Sequence, residues 1–188
     1  MKKILPVVVK GFVKEDLYSI LEAEVPWENR SSPRDECFMA LETAPQRYSY
    51  GNSNEHRKDL HTYTAVPMHP AVRKVMEDLN VEYDTQLNVC VLNYYKDQHQ
   101  HLGWHADDSP EQDLDHPIAV IAFGASRAFW WKHRTEKGAI PEDQRILMEP
   151  GDLIWMPAGF QEENLHRIPK HPSACGGRIS LTFRKLVR

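Results

Sequence analysis

His105-Ala106-Asp107 brings two side chains of metal-binding type to a useful spacing. On an extended strand, residues i and i+2 point the same way, so an imidazole and a carboxylate can reach one ion. Alone, the doublet fits a surface histidine beside the acidic run 107–115 equally well, because a chain with 10 histidines produces such pairs by chance. A second histidine, His166, lies well downstream on the strand-like stretch 164–169, after the turn Gly151-Asp152. Taken singly, it fits a structural residue at a strand end. Two histidines and one carboxylate together form a facial set that leaves coordination positions open. That arrangement suits non-haem Fe(II), which must also bind a cosubstrate and oxygen.

The run Arg178-Ile179-Ser180-Leu181-Thr182-Phe183-Arg184 supplies a partner for such an ion. On a strand, Arg178, Ser180, Thr182 and Arg184 share one face, and Ile179, Leu181 and Phe183 share the other. Two guanidinium groups lining a pocket suit a dicarboxylate, whose oxygens the planar fork grips in pairs. An edge strand with a solvated basic face is the competing reading. Asn93 and Tyr95 also share a strand face, and both can hydrogen-bond a carboxylate; ordinary strand packing is the alternative. In the first half, Tyr48 and Tyr50 alternate onto one side, either as lid packing or as a stacking surface. Arg34 follows Pro33 and fits either a phosphate contact or a solvated loop charge.

These side chains need a scaffold. The chain has 188 residues, 41% hydrophobic and 27% charged, which suits one globular domain with a real core. No apolar run approaches membrane-spanning length, and the apolar stretch at 4–9 is too short and proline-bearing for a signal peptide, so an intracellular protein is expected. The three cysteines, Cys37, Cys90 and Cys175, form neither a disulfide framework nor a zinc pattern. A net charge of −4 gives no global argument for nucleic-acid binding. A local basic face is open in the C-terminal stretch, which carries Arg167, Lys170, Lys185 and Arg188 besides the arginine pair.

Helical spacing predicts one helix over 13–23, with Leu17, Ile20 and Leu21 on its apolar face and Glu15 and Asp16 in its first turn. It predicts another over 70–79, opened by Pro70 and packing through Val72, Val75, Met76 and Leu79. Residues 24–66 read as loops and short strands. From residue 86 onward, strand-like runs cover 86–94, 117–124, 128–133, 144–148, 152–156 and 178–185. Helices followed by strands, with little βαβ alternation, indicate an α+β chain whose second half is an antiparallel sandwich or jelly roll. The expected division is 1–85 for helices and a lid and 86–188 for the catalytic core.

In order along the chain, these motifs resemble the AlkB family of Fe(II)- and 2-oxoglutarate-dependent dioxygenases of the nucleic-acid alkylation-repair type. The resemblance rests on Asn93-Tyr94-Tyr95-Lys96-Asp97, on 101–108 with its His-x-Asp, on 117–129, and on 178–185. It covers 86–186 well and 33–66 loosely. It implies a double-stranded β-helix, with His105, Asp107 and His166 holding iron. Arg178 would pair with the distal carboxylate of 2-oxoglutarate and Arg184 would act near its other end. Asn93, Tyr95, Ser180 and Thr182 would complete the cosubstrate site. The first half would form a nucleotide-recognition lid, in which Tyr48-Ser49-Tyr50-Gly51 is similar to an aromatic pair that stacks on a flipped base.

Two departures stand out. Ser109 occupies a position where repair enzymes of the family usually carry an acidic residue against the base, leaving Asp108 nearest that role. Ser180 stands where asparagine is common. The chemistry implied is hydroxylation of a base N-methyl group by an oxidant made from 2-oxoglutarate and O2, with release of formaldehyde. Methylated adenine or cytosine in single-stranded or locally opened DNA is the expected substrate, RNA the second choice, and a monomer without membrane attachment the expected form. The rivals are a hydroxylase of a protein, small molecule or unusual base, and a metal-binding jelly roll without enzymatic activity.

Overall fold

The computed structural model describes residues 3–30, 33–50 and 61–187, and of Tyr50 and His61 the backbone alone. Its strands are β1 (Val7–Val9), β2 (Asp35–Ala40), β3 (Arg47–Tyr50), β4 (His61–Thr64), β5 (Val66–Pro67), β6 (Val89–Tyr95), β7 (Leu102–His105), β8 (Ile118–Gly124), β9 (Arg127–His133), β10 (Arg145–Met148), β11 (Leu153–Met156), β12 (Asn164–Ile168) and β13 (Arg178–Arg184). Three α-helices accompany them, α1 (Tyr18–Glu24), α2 (Pro70–Glu82) and the short α3 (Phe160–Glu163), with a 3-10 turn at Glu142–Gln144. One sheet runs in the order β1-β11-β8-β13-β6-β2-β5, a second in the order β10-β9-β12-β7, and β3 pairs with β4 as a hairpin. Every pairing is antiparallel except β2 with β5. The two facing sheets make the expected jelly roll.

Strand β13 lies between β8 and β6, and all of its residues are buried. This removes the edge-strand reading: its polar face looks into the protein. Ile179, Leu181 and Phe183 pack with Leu21 of α1 and with Val72, Val75, Met76 and Leu79 of α2 on the outer side of the large sheet. Val120, Phe129, Trp131, Ile154 and Phe160 pack in a second cluster between the sheets. The alternation of β13 therefore separates a hydrophobic outer layer from an inner layer that carries chemistry.

The first half is more than helices and lid. β1, β2 and β5 are strands of the large sheet, so the sheet does not begin at residue 86. α2 forms where its periodicity places it. Pro70 opens it, and His69 Nδ1 accepts a hydrogen bond from Ala71 N–H at 3.1 Å. α1 begins five residues later than the apolar spacing suggests. The Val13 N–H donates to Gly151 O at 3.1 Å, and Asp16 accepts from Tyr18 N–H at 3.0 Å, so both groups are committed outside a helix. Glu15 and Asp16 consequently precede the first turn. Leu17 and Leu21 are buried, while Ile20 is 41% exposed.

Gly151 accepts the Val13 contact because it has no side chain. Its φ is +82°, and a Cβ there would lie 2.1 Å from Val13 O. Gly151→Ala should therefore cost at least about 1–3 kcal/mol from the left-handed backbone alone, with the clash added. Urea denaturation checks this; an unchanged midpoint would mean that the turn re-forms freely.

Candidate active site

Cross-strand register assembles the site. On the large sheet Arg178 stands opposite Tyr95, Ser180 opposite Asn93, Thr182 opposite Val91 and Arg184 opposite Val89. One strand further, Glu36 stands opposite Asn93 and Phe38 opposite Val91. Residues paired in register point to the same face, so β13, β6 and β2 present successive rows to the space between the sheets. On the small sheet His166 of β12 stands directly opposite His105 of β7. A strand pairing places Cβ atoms about 4.5–5.5 Å apart, close enough for both rings to reach one ion.

They do converge. Ligand atoms of His105, Asp107 and His166 all lie within 4.8 Å of one another. Asp107 Oδ1 is 3.6 Å from His105 Nε2, and Asp107 Oδ2 is 3.5 Å from His166 Nε2. His105 Nδ1 is 2.9 Å from Gly103 O. A carbonyl can only accept, so Nδ1 carries the proton and Nε2 keeps its lone pair toward the cavity. Burial, and then the neighbouring His166, push the His105 pKa down to about 3, so the ring is neutral at physiological pH. Phe129 stacks on His166 at a centroid distance of 5.2 Å. The Asp107 backbone is held by its N–H, which donates to Gln161 Oε1 of α3 at 2.9 Å.

Charge pairing in the cavity is uneven. Burial would raise the Asp107 pKa, but the Arg184 guanidinium, and then His166, hold it well below the usual carboxylate range. Arg184 Nη2 donates to Asp107 Oδ1 at 2.8 Å, and its Nη1 donates to the Tyr48 hydroxyl. Arg34 Nη2 pairs with Glu36, and its Nε donates to Asn93 Oδ1 at 2.5 Å. Arg178 differs. It is fully buried, and no described carboxylate pairs with it. Its Nη2 reaches only the Met148 sulfur at 3.4 Å, while its Nε and Nη1 have no hydrogen-bond partner among the described residues. It packs over the Tyr95 ring at 5.4 Å, and burial lowers its pKa to about 10, which still leaves it charged at neutral pH. A buried cation with free donors on the wall of a cavity fits an anionic ligand, and a carboxylate matches the guanidinium fork.

The donor set opposite fits Fe(II). It offers two imidazoles and one ionised carboxylate, a set that leaves further coordination positions open. His105, Asp107 and His166 would hold the ion. Asn93, Tyr95, Arg178, Ser180, Thr182 and Arg184 all line the same cavity as these three.

The substrate-side residues fall differently. Tyr48 lines the cavity, yet it is only 1% exposed, packed against Phe38 and Tyr63 at centroid distances of 5.5 and 5.9 Å. Its hydroxyl is spent on Arg184 and burial pushes its pKa up to about 12, so it is part of the wall and not an open stacking platform. The side chain of Tyr50 and all of Gly51 lie outside the described residues. Asp108 turns to Arg134 at 3.2 Å and does not line the cavity. Arg34 is a buried wall residue of the cavity and not a solvated loop charge.

Glu36 and Tyr63 were not singled out from sequence. The Tyr63 hydroxyl donates to Glu36 Oε2 at 2.9 Å, closing the Arg34–Glu36 pair from β4. Arg127 belongs to the 117–129 motif, which assigned it no role. Fully buried, it donates to the carbonyls of Asp97, Gln100 and Pro169 at 3.2, 2.9 and 2.6 Å, tying together the loops after β6 and β12.

Tyr48→Phe isolates one of these contacts, because it keeps the packing and removes only the Arg184 partner. A loss of about 1–2 kcal/mol is expected, read as a lower denaturation midpoint. No change would mean that the hydroxyl is neutral for Arg184.

Residues 11–184 match the family model described as the 2OG-Fe(II) oxygenase superfamily. Among relatives, the DNA oxidative demethylase ALKBH2 of Bos taurus is 27% identical over 179 residues, which cover 92% of this chain and 64% of that protein. The Homo sapiens ALKBH2 is 26% identical over 179 residues, 92% of this chain and 69% of that one. The alpha-ketoglutarate-dependent dioxygenase alkB homolog 3 of Mus musculus is 30% identical over 175 residues, 86% of this chain and 57% of that one. The chain thus spans a little under two thirds of the cattle relative's length. The solved structure of OsALKBH1 superposes with a TM-score of 0.58 at 16% identity, covering 98% of both chains, which is a likeness of fold. With the His–Asp–His cluster, the buried arginine and a family match over residues 11–184, the chain belongs to the 2OG-Fe(II) oxygenase superfamily, and the relatives it matches are of the AlkB type.

Proposed function

We infer that this chain is an Fe(II)- and 2-oxoglutarate-dependent dioxygenase that removes alkyl groups from nucleic-acid bases. The observation that carries the reaction class is Arg178, a buried cation with free donors in the cavity that also holds the His105–Asp107–His166 cluster. The relatives named as DNA oxidative demethylases support the substrate class. Iron with 2-oxoglutarate and O2 supplies a strong oxidant for a C–H bond when bound. The chain's own residues do the rest. Arg178 grips the far carboxylate of the cosubstrate, while Asn93 and Tyr95 lie beside it on the same strand face. Arg184 and Asp107 hold each other in place, so the carboxylate stays ionised where, with His105 and His166, it would hold the ion. Positioning the base is the protein's main contribution.

N-methylated adenine or cytosine, in single-stranded or locally opened DNA, is the substrate this reading favours, with the protein acting as a monomer inside the cell. No helix of the described residues is long and apolar enough to cross a membrane. The test is mass spectrometry of oligonucleotides bearing N-methyladenine or N-methylcytosine after incubation with Fe(II), 2-oxoglutarate and O2. Loss of one methylene mass per succinate formed is expected. Succinate formed at the same rate with and without oligonucleotide, with no mass change, would point instead to a protein or small-molecule substrate.

A further inference from the structure

The outer face of the small sheet carries a group of side chains that the proposed reaction leaves unused. Trp104 and Arg167 each neighbour an iron-site histidine in sequence, on β7 and β12, and so point away from the cavity. Trp130 and Lys132 of β9 flank the inward Trp131 in the same way. Arg145 of β10 stands opposite Trp130, and Trp130 opposite Arg167. The Arg145 guanidinium lies 4.9 Å from the Trp130 ring centroid. That of Arg167 lies 4.3 Å from Trp130 and 4.7 Å from Trp104, and Lys132 Nζ lies 4.8 Å from Trp104. Cations and indoles therefore alternate across four strands, a span of about 14 Å at ordinary strand spacing.

None of the three cations forms an ion pair with a described carboxylate. Arg145 and Lys132 donate only to the carbonyls of Ile140 and Glu136, at 2.5 and 3.4 Å. Arg167 Nε is buried with no hydrogen-bond partner among the described residues. This is a concentration of unneutralised positive charge on a chain whose net charge is −4. Stacking on indole fixes the plane of each guanidinium and leaves N–H edges free to meet phosphate oxygens.

We propose that this face is a docking surface for the phosphodiester backbone of a nucleic-acid strand, on the far side of the small sheet from the cavity that receives the base. It rests on the nucleic-acid reading above and extends it, because it assigns strand binding to residues outside the catalytic cavity. Lys132, Arg145 and Arg167 contact phosphates, while Trp104 and Trp130 hold them in plane and offer ring surface to a base.

The test is fluorescence anisotropy of an unmodified, labelled single-stranded oligonucleotide at several salt concentrations. It compares wild type with the triple variant Lys132→Gln, Arg145→Gln, Arg167→Gln. Affinity should fall about tenfold or more, and the slope of log affinity against log salt should become shallower by about two, as expected for three lost phosphate contacts on a single strand. Succinate formation without nucleic acid should be unchanged, which shows an intact site. Arg145→Gln alone, at the exposed end of the strip, should reduce the slope by about 0.7, and it guards against a triple variant that folds poorly. Wild-type affinity and slope in both variants, with oligonucleotide demethylation intact, overturn the docking surface alone. A wild type that neither binds nor demethylates oligonucleotides overturns the underlying reading as well. Competition by poly-glutamate as effective as competition by oligonucleotide would identify an acidic protein as the occupant and overturn the proposal.

Discussion

Arg178→Met should weaken 2-oxoglutarate binding roughly 100-fold or more and leave the folded protein at least as stable as wild type. The guanidinium is fully buried, it has no carboxylate partner among the described residues, and two of its nitrogens have no hydrogen-bond partner there. Burying an unpaired charge costs several kcal/mol, and exchanging buried charge for a well-packed apolar side chain is often neutral or stabilising by about 1–4 kcal/mol. Without ligand, Tm should stay level or rise by a few degrees. With ligand, the variant loses a desolvated charge pair worth about 2–5 kcal/mol, so the 2-oxoglutarate requirement should rise roughly 100-fold or more. Arg178→Lys keeps the charge and loses the fork, so it should recover only part of that affinity. Calorimetric titration and thermal unfolding read the two effects separately. A lower Tm with unchanged 2-oxoglutarate affinity would make Arg178 a packing residue.

Asp107→Ala should show the opposite coupling, losing activity and stability together. The carboxylate faces both histidines and pairs with the buried Arg184 guanidinium. Breaking a buried pair from one side costs about 3–5 kcal/mol, or roughly 10 °C in Tm for a chain of this size. His105→Ala removes a ligand without breaking an ion pair, so it should also abolish turnover but leave Tm much closer to wild type. Equal Tm for Asp107→Ala and wild type would show that Arg184 finds another counter-charge and that Asp107 serves the metal alone.

These contrasts follow from how the site is built, and they mark what a sequence can disclose. Alternation along 178–184 displays which side chains share a face, and the histidine–aspartate spacing displays a ligand pair. Both are local periodicities, and both survive in the structure. Which way the arginine face looks is not local. It depends on β13 lying centrally between β8 and β6, so an edge strand and a buried catalytic strand read alike. Glu36 stayed hidden because its strand belongs to a half of weak periodicity and its partners, Arg34 apart, are remote: register brings Asn93 beside it and the hairpin brings Tyr63. Tyr48 and Tyr50 alternate as expected, but alternation does not say whether a ring is a wall or a platform. Phe38 and Tyr63, packed on Tyr48, decide that for the first of them. The start of α1 moved for the same reason: a tertiary hydrogen bond from Val13 to Gly151 overrode an apolar spacing that by itself suits a longer helix.

The central proposal is one cavity in which Arg178 would grip a carboxylate ligand beside an ion that His105, Asp107 and His166 would hold. The most direct measurement is calorimetric titration of 2-oxoglutarate into the protein, without oxygen, once metal-free and once loaded with Mn(II) as a redox-inert stand-in. Binding should be strong only in the loaded protein, and 2-oxoglutarate should tighten Mn(II) by the same factor, because coupling between two ligands is reciprocal. Equal 2-oxoglutarate affinity with and without metal would place the two ligands in separate sites and contradict the account.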